Sequence, residues 1–224
     1  WGWEPCTIAD IRAYRPDSNS ISSGQVLQEP YDWHKAKLIV REMTDLLVLD
    51  LVKKRLCTDQ LTLTIGYDIE NLSDPARAAE YAGETHVDRY GRRVPKHGHG
   101  TANLVGYSSS TREITDAVMA LYDRITDKNL LVRRVTVAAN RVLPEDKIPR
   151  SAESGEQMDL FSAAEEKPCA PGAEQKARER ERRRQEAILA IQRRYGSNAI
   201  LKGMNLEEGA TTRERNKQIG GHRA

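Results

Sequence analysis

The alternation of hydrophobic and polar positions predicts a compact α/β unit between about residues 20 and 143. Residues 60–67 alternate with a period of two, which is typical of a strand with one buried and one wet face. Residues 32–56 instead place apolar side chains three to four positions apart, which predicts a long amphipathic helix. A polar stretch at about 71–98, punctuated by glycine and proline, is expected to form a long excursion between strands.

The whole unit contains six predicted elements in the order strand, helix, strand, strand, helix, strand. The strands are predicted at about residues 20–27, 60–67, 100–107 and 130–142, and the helices at about 32–56 and 111–125. The first strand is expected to end before Pro30. The order defines an α+β fold of the ferredoxin-like, split β-α-β-β-α-β type, with a four-stranded antiparallel sheet and two helices on one face. Two helices cover only one face of such a sheet, so the other is expected to be wet or occupied by a partner.

The segments outside this unit are polar and are predicted to form extensions. Residues 1–18 contain a short helix, with Thr7 as its N-cap, and a tether; without an initiator methionine, they are expected to be the end of a missing domain. The unit itself is assigned to 19–143. Residues 144–173 have the composition of a flexible linker. Residues 174–224 are expected to form a charged helix that stops at Gly196 and a tail, largely disordered or helical.

Composition narrows the class of protein only slightly. With 38% hydrophobic residues and a formal charge of +2, the chain is expected to have one core, and net charge identifies no partner. No apolar run approaches the roughly 18 residues of a membrane helix, and three widely spaced cysteines favour reduced thiols and a cytoplasmic location. A monomer is expected. No Walker loop, GxSxG or HExxH is present, and no set of carboxylates suits two magnesium ions; Asp45 and Asp50 are predicted to be surface positions.

A hydrophobic motif lies in the predicted linker. It comprises Gln157, Met158, Asp159, Leu160 and Phe161, and Phe161 is the single phenylalanine of the chain. An exposed aromatic residue in a polar linker is typical of a peptide that docks elsewhere. The pattern resembles the bacterial sliding-clamp-binding motif, in which a glutamine and a Leu-Phe pair enter a hydrophobic cleft. The alternative is an apolar cluster that folds back on the domain.

The uncovered sheet face is a second candidate site. Hydroxyl, amide and basic side chains there suit contact with DNA phosphates without reading of bases. The predicted DNA-binding residues are Ser20, Ser22, Ser23, Gln25, Thr62, Thr64, Lys96, Arg133 and Arg134. The alternative is an ordinary solvated face. Aromatic stacking platforms are missing from these strands, which weighs against an RNA-recognition module.

Two further clusters leave alternatives open. His97 and His99 suit zinc, but no further ligands lie near them in sequence, so a strand entrance with basic, DNA-facing side chains is preferred. The arginines at 178–184 interleave with glutamates, which fits either a solvated helix with internal ion pairs or a surface for DNA or a partner.

Several segments together resemble the C-terminal part of UmuC-like Y-family translesion DNA polymerases, from the thumb end through the little finger. They are WGWEP (1–5), TIADI (7–11), SISSGQVL (20–27), GYD (66–68), HGT (99–101) and VRRV (132–135), while NAILKGMNL (198–206) and TTRERN (211–216) are similar to C-termini of the Gram-positive branch.

This resemblance implies a little finger that holds damaged template-primer DNA, a tether to the sliding clamp, and a role in translesion synthesis, the SOS response and DNA repair. By the same resemblance, Arg133 and Arg134 meet phosphates, and the magnesium-binding residues belong to a palm domain with no counterpart in this sequence. We therefore expect no catalysis and no cofactor in this chain. The alternative function is a non-catalytic clamp-binding adaptor in DNA repair.

Overall fold

The computed structural model of the chain describes residues 5–14, 19–88, 90–148, 171–219 and 222–223. The helices are α1 (Ile8–Ala13), α2 (Trp33–Lys54), α3 (Glu70–Ser73), α4 (Pro75–Glu80), α5 (Thr111–Ile125), α6 (Pro171–Tyr195) and α7 (Thr212–Arg215), with 3-10 turns at Glu145–Lys147 and Gly203–Leu206. The strands are β1 (Ile21–Tyr31), β2 (Leu56–Tyr67), β3 (Thr85–Val87), β4 (Arg93–Pro95), β5 (Gly98–Ser108), β6 (Val132–Asn140), β7 (Leu143–Pro144), β8 (Gln218–Ile219) and β9 (His222–Arg223).

The main sheet has the strand order β1-β6-β2-β5, and all of its neighbouring strands are antiparallel. Helix α2 joins β1 to β2 with β6 between them, and α5 joins β5 to β6 with β2 between them. Each β-α-β unit is therefore split by a strand of the other. This confirms the predicted α+β fold and its element order. The predicted excursion between β2 and β5 contains α3, α4 and the β3–β4 hairpin.

The core lies between the sheet and the pair α2 and α5. The alternating residues of β2 and β6 that face the helices are fully buried, as are the apolar positions of both helices: Ala36, Ile39, Val40, Met43, Leu61, Leu63, Ile65, Ile114, Val118, Tyr122, Val135, Val137 and Ala139. Helix α5 passes close to β5, since a Cβ at Gly100 would lie 2.8 Å from Ile125 Cγ2. No helix within the described ranges is long and apolar enough to cross a membrane.

Local sequence signals account for where the main helices begin and end. Asp32 caps α2 by accepting a 2.9 Å hydrogen bond from the Lys35 backbone N–H, and Arg55 ends it in the left-handed conformation. Ser110 caps α5 through the Glu113 N–H. Thr7 caps α1, as predicted, in a reciprocal capping box with Asp10.

Strand β1 continues through Pro30, so the prediction that it ends before this proline is wrong. The register between β1 and β6 shifts between Val26 and Tyr31. Because β1 is an edge strand, a proline without an N–H costs no ladder hydrogen bond at such an irregularity.

The C-terminal residues form a third layer on the side of α2 that faces away from the sheet. Glu42 of α2 is 1% exposed and accepts hydrogen bonds from Asn205 Nδ2 at 2.7 Å, from the Thr211 N–H at 2.7 Å and from the Thr212 N–H at 3.3 Å. Lys202 forms an ion pair with Asp45. The prediction that Asp45 is a surface residue is therefore wrong, because the tail covers it.

The same segment reaches the edge strand β1. Arg215 donates to Gln25 Oε1 at 3.0 Å and to Ser23 Oγ at 3.3 Å, and Gln25 donates to Thr211 Oγ1 at 2.9 Å. Burial lowers the pKa of Arg215, and the nearby Glu42 carboxylate opposes that change. The predicted tail is thus helical in α6 and, beyond it, is packed on α2 and β1.

We expect Glu42→Gln to lower the free energy of unfolding by about 2 kcal/mol, because hydrogen bonds to a charged acceptor are lost in a buried site. Hydrogen exchange at the Thr211 and Thr212 amides should accelerate. Arg41→Gln, an exposed neighbour on α2, is the control. Equal exchange in both variants would show that Glu42 does not hold the tail.

Candidate nucleic-acid interface

The face of the sheet that carries no helix is lined mostly by polar side chains, which come from all four long strands. Alternation along the strands and their register place these residues on it: Ser22, Gly24 and Val26 of β1; Arg134, Thr136, Ala138 and Asn140 of β6; Gln60, Thr62, Thr64 and Gly66 of β2; and His99, Thr101, Asn103 and Val105 of β5. We call this set the open face.

The open face contains no carboxylate among these fifteen positions, and its one permanent cation is Arg134. Arg134 lies opposite Gly66, where a Cβ would come within 3.2 Å of Arg134 Cβ. The glycine therefore leaves room for the arginine stem to lie across the sheet. Such a face repels no anion and offers many hydrogen-bond donors.

Hydrogen bonds between strands hold the polar side chains of the open face in place. Asn140 Nδ2 donates to Thr62 Oγ1 at 2.7 Å, and Gln60 Nε2 donates to Asn103 Oδ1 at 3.0 Å. The Thr64 hydroxyl lies 2.9 Å from His99 Nδ1. A pre-ordered array of this kind loses little side-chain entropy when a ligand binds.

A groove of about 900 Å³ separates one end of the open face from the β3–β4 hairpin. Arg92, Arg133 and Arg134 are among its lining residues, together with Asp68 and Asp88. Arg133 Nε lies 3.6 Å from Asp68, and Arg92 forms a 2.7 Å ion pair with Asp88. Arg134 has no ion pair within the described residues, so it is the cation of the groove that is available to a ligand.

Three histidines meet beside this groove. The rings of His86 and His97 are 5.6 Å apart, and those of His97 and His99 are 6.4 Å apart. Burial lowers the pKa of His97, and the charges of His86, His99 and Lys96 lower it further. The part of the chain that the structure describes contains no group of three or more histidine, cysteine or acidic residues arranged to hold a metal ion.

The open face brings together four of the predicted DNA-binding residues: Ser22, Thr62, Thr64 and Arg134. Ser20 is exposed just before β1. Arg133 falls where the register between β2 and β6 shifts, next to the groove.

Ser23, Gln25 and Lys96 lie elsewhere. Ser23 and Gln25 are on the opposite side of β1, where they contact Arg215. The prediction that they share the uncovered face with Ser22 is therefore wrong. The reason is the two-residue period of a strand, which cannot send neighbouring side chains to one face. Lys96 belongs to the hairpin region and pairs with Glu84 at 2.6 Å.

The sequence reasoning missed Thr101, Asn103 and Val105 as open-face residues. Val105 is fully exposed, and Val26 is 57% exposed. The alternation of residues 98–105 carried the signal, because every second residue there is polar or exposed. The predicted clamp-binding residues Gln157, Met158, Asp159, Leu160 and Phe161 lie outside the described residues.

Comparison with known proteins identifies the family. The family model "impB/mucB/samB family C-terminal domain" matches residues 18–160, and the chain belongs to this family. The match confirms that the chain is a C-terminal part of a Y-family polymerase. No match was found among curated proteins.

Among the solved structures that match the chain, one is a distant relative in sequence. It is titled "Complex of beta-clamp processivity factor and little finger domain of PolIV", with 10% sequence identity and a TM-score of 0.35, covering 54% of this chain and 86% of that chain.

We expect His97 to titrate with a midpoint below 6.5, because it is partly buried beside two other histidines and a lysine. Since its pKa is lower in the folded chain, protonation favours unfolding, and stability should fall as the pH drops below about 6.5. NMR titration of the ring protons measures this midpoint. His86→Gln should raise the His97 midpoint, because one neighbouring charge is removed. An unchanged midpoint would show that His86 does not influence His97.

Proposed function

We propose that the chain is the DNA-holding part of a translesion polymerase of the Gram-positive type, and that its open face lies against the phosphate backbone of the template-primer duplex. The observation that carries the proposal is the absence of carboxylates from the open face, combined with ordered hydroxyl and amide groups and the unpaired Arg134. A duplex contacted through phosphates is held whatever its bases are. This property suits a polymerase that passes over damaged or mispaired bases.

The groove beside the hairpin extends the proposed contact. Arg133 and Arg134 line it from β6, and His86 lines it from β3. Hairpin residues on its far side would meet the second strand or the next phosphates. The acidic residues Asp68 and Asp88 are both engaged by arginines, so they oppose a nearby phosphate less than free carboxylates would.

We further propose that Gln157, Leu160 and Phe161 tether the chain to the sliding clamp. The support is the sequence motif itself, with the single phenylalanine of the chain in a polar segment. A clamp tether raises the local concentration of the polymerase at the primer terminus, which compensates for a weak and unspecific hold on DNA. In this proposal the protein acts in the cytoplasm as a monomer, and catalysis with magnesium belongs to a palm domain of the parent polymerase.

Arg134→Gln should weaken binding to random-sequence duplex DNA and reduce the slope of log K against log salt by about 0.9, as expected for one lost phosphate contact. Fluorescence anisotropy between 50 and about 200 mM salt measures the slope. Arg112→Gln, an exposed arginine on α5, removes the same charge away from the open face. Identical salt slopes for both variants would show that the open face does not contact DNA.

Phe161→Ala should weaken binding to the sliding clamp by about 30-fold or more, because an aromatic anchor of this kind is worth at least about 2 kcal/mol. Surface plasmon resonance with immobilised clamp gives the dissociation constant. Ser162→Ala, the next residue, is the matched control. Equal affinities for the two variants would show that the motif is not the tether, while leaving the DNA contact untouched.

A further inference from the structure

Helix α6 is attached to the domain through one side only. Gln185 Nε2 donates to the Ser109 carbonyl at 2.9 Å and to Thr111 Oγ1 at 3.0 Å. Glu181 accepts from Ser110 Oγ at 2.7 Å and from the Arg112 N–H at 3.0 Å. These contacts fix the rotation of α6 about its axis at the beginning of α5, so the opposite side of α6 has a defined direction.

The charges on the attached side are neutralised by the domain. Arg182 binds both oxygens of Glu145, at 2.7 and 3.2 Å, and Arg178 lies 3.1 Å from Glu113. Leu189, also on this side, packs against the core. The arginines that face the domain thus act in docking the helix.

The opposite side of α6 carries basic residues that have no such role. At 100° per residue, Lys176, Arg180 and Arg183 point away from the attached side. Arg184 and Arg194 flank them, and each lines a cleft between α6 and α2. All five are exposed. Lys176, Arg180, Arg183 and Arg184 form no ion pair or hydrogen bond with any residue that the structure describes. We call these five residues the basic stripe.

The composition of the stripe distinguishes between possible partners. The positions between its cations on the same side are Ala187 and Ala190, both exposed, and Ile191, which is half-buried. A protein partner would need a large apolar anchor for most of its binding energy, and two alanines and one half-buried isoleucine offer little area for one. A phosphate backbone needs only positive charge and donors, and guanidinium groups bind phosphate oxygens in pairs.

We propose that the basic stripe is a second DNA-binding surface, which contacts the phosphate backbone of a duplex separately from the open face. From Lys176 to Arg194 it extends about 27 Å along the helix, the length of about eight base pairs. Helix α6 packs on the side of α2 that faces away from the sheet, so the duplex held there is not in contact with the open face. The proposal stands on the stripe alone and does not require the open face to bind DNA.

The test uses the full chain and a triple variant, Arg180→Gln, Arg183→Gln and Arg184→Gln. For random-sequence duplex DNA, the slope of log K against log salt should fall by about 2 to 3, since each lost phosphate contact removes about 0.9. Replacing the same three arginines with lysine keeps the charges and should keep most of the slope. Thermal melting of both variants verifies that α6 remains attached.

The matched control removes three exposed charges away from α6, with Arg124→Gln, Lys128→Gln and Lys147→Gln. An equal loss of slope in this control would overturn the proposal, because the effect would then follow net charge alone. An unchanged slope in the Arg180, Arg183 and Arg184 variant would also overturn it. A variant that still binds DNA normally but no longer binds polyglutamate would overturn it as well, because the partner would then be an acidic protein. Arg134→Gln tests the open face independently, so failure of one surface is separable from failure of the other.

Discussion

The buried carboxylate of Glu42 is the interaction on which the arrangement of the whole chain depends. A carboxylate that is 1% exposed is tolerated only when hydrogen bonds replace its water, and here the donors come from residues more than 160 positions later in the chain. Asp45 one turn further on receives Lys202 in the same way. Two acidic residues on the outer side of α2 therefore determine where the C-terminal segment lies.

Because the C-terminal segment is attached to α2, the two sides of the sheet differ in how many layers cover them. The helix side is covered twice, first by α2 and α5 and then by α6 and the tail. The open face has no second layer in the described part of the chain, and its polar side chains bond to one another across the strands. The open face thus presents polar groups ordered by hydrogen bonds, with Arg134 as the charged group at one end.

Much of the domain was predictable because its signals are local. The alternation in β2 and β6 and the apolar face of α5 can each be recognised from about ten residues of sequence. The caps at Asp32 and Ser110 can be recognised from about four. The contacts of Glu42, Asp45 and Gln25 were not predictable in this way, since their partners are distant in sequence and no pattern links them. The misplacement of Ser23 and Gln25 is different in kind. The two-residue period was already present in the sequence, and it excludes Ser22 and Ser23 from the same face.

The central claim, that the open face binds DNA through its hydroxyl-rich strands, is tested most directly by methyl NMR of the threonines during titration with a random-sequence duplex. The account predicts that the methyl signals of Thr62, Thr64, Thr101 and Thr136 shift together and saturate with the DNA, while those of Thr44 and Thr212, buried on the helix side, stay in place. Saturable DNA binding with all four open-face signals unmoved would contradict it.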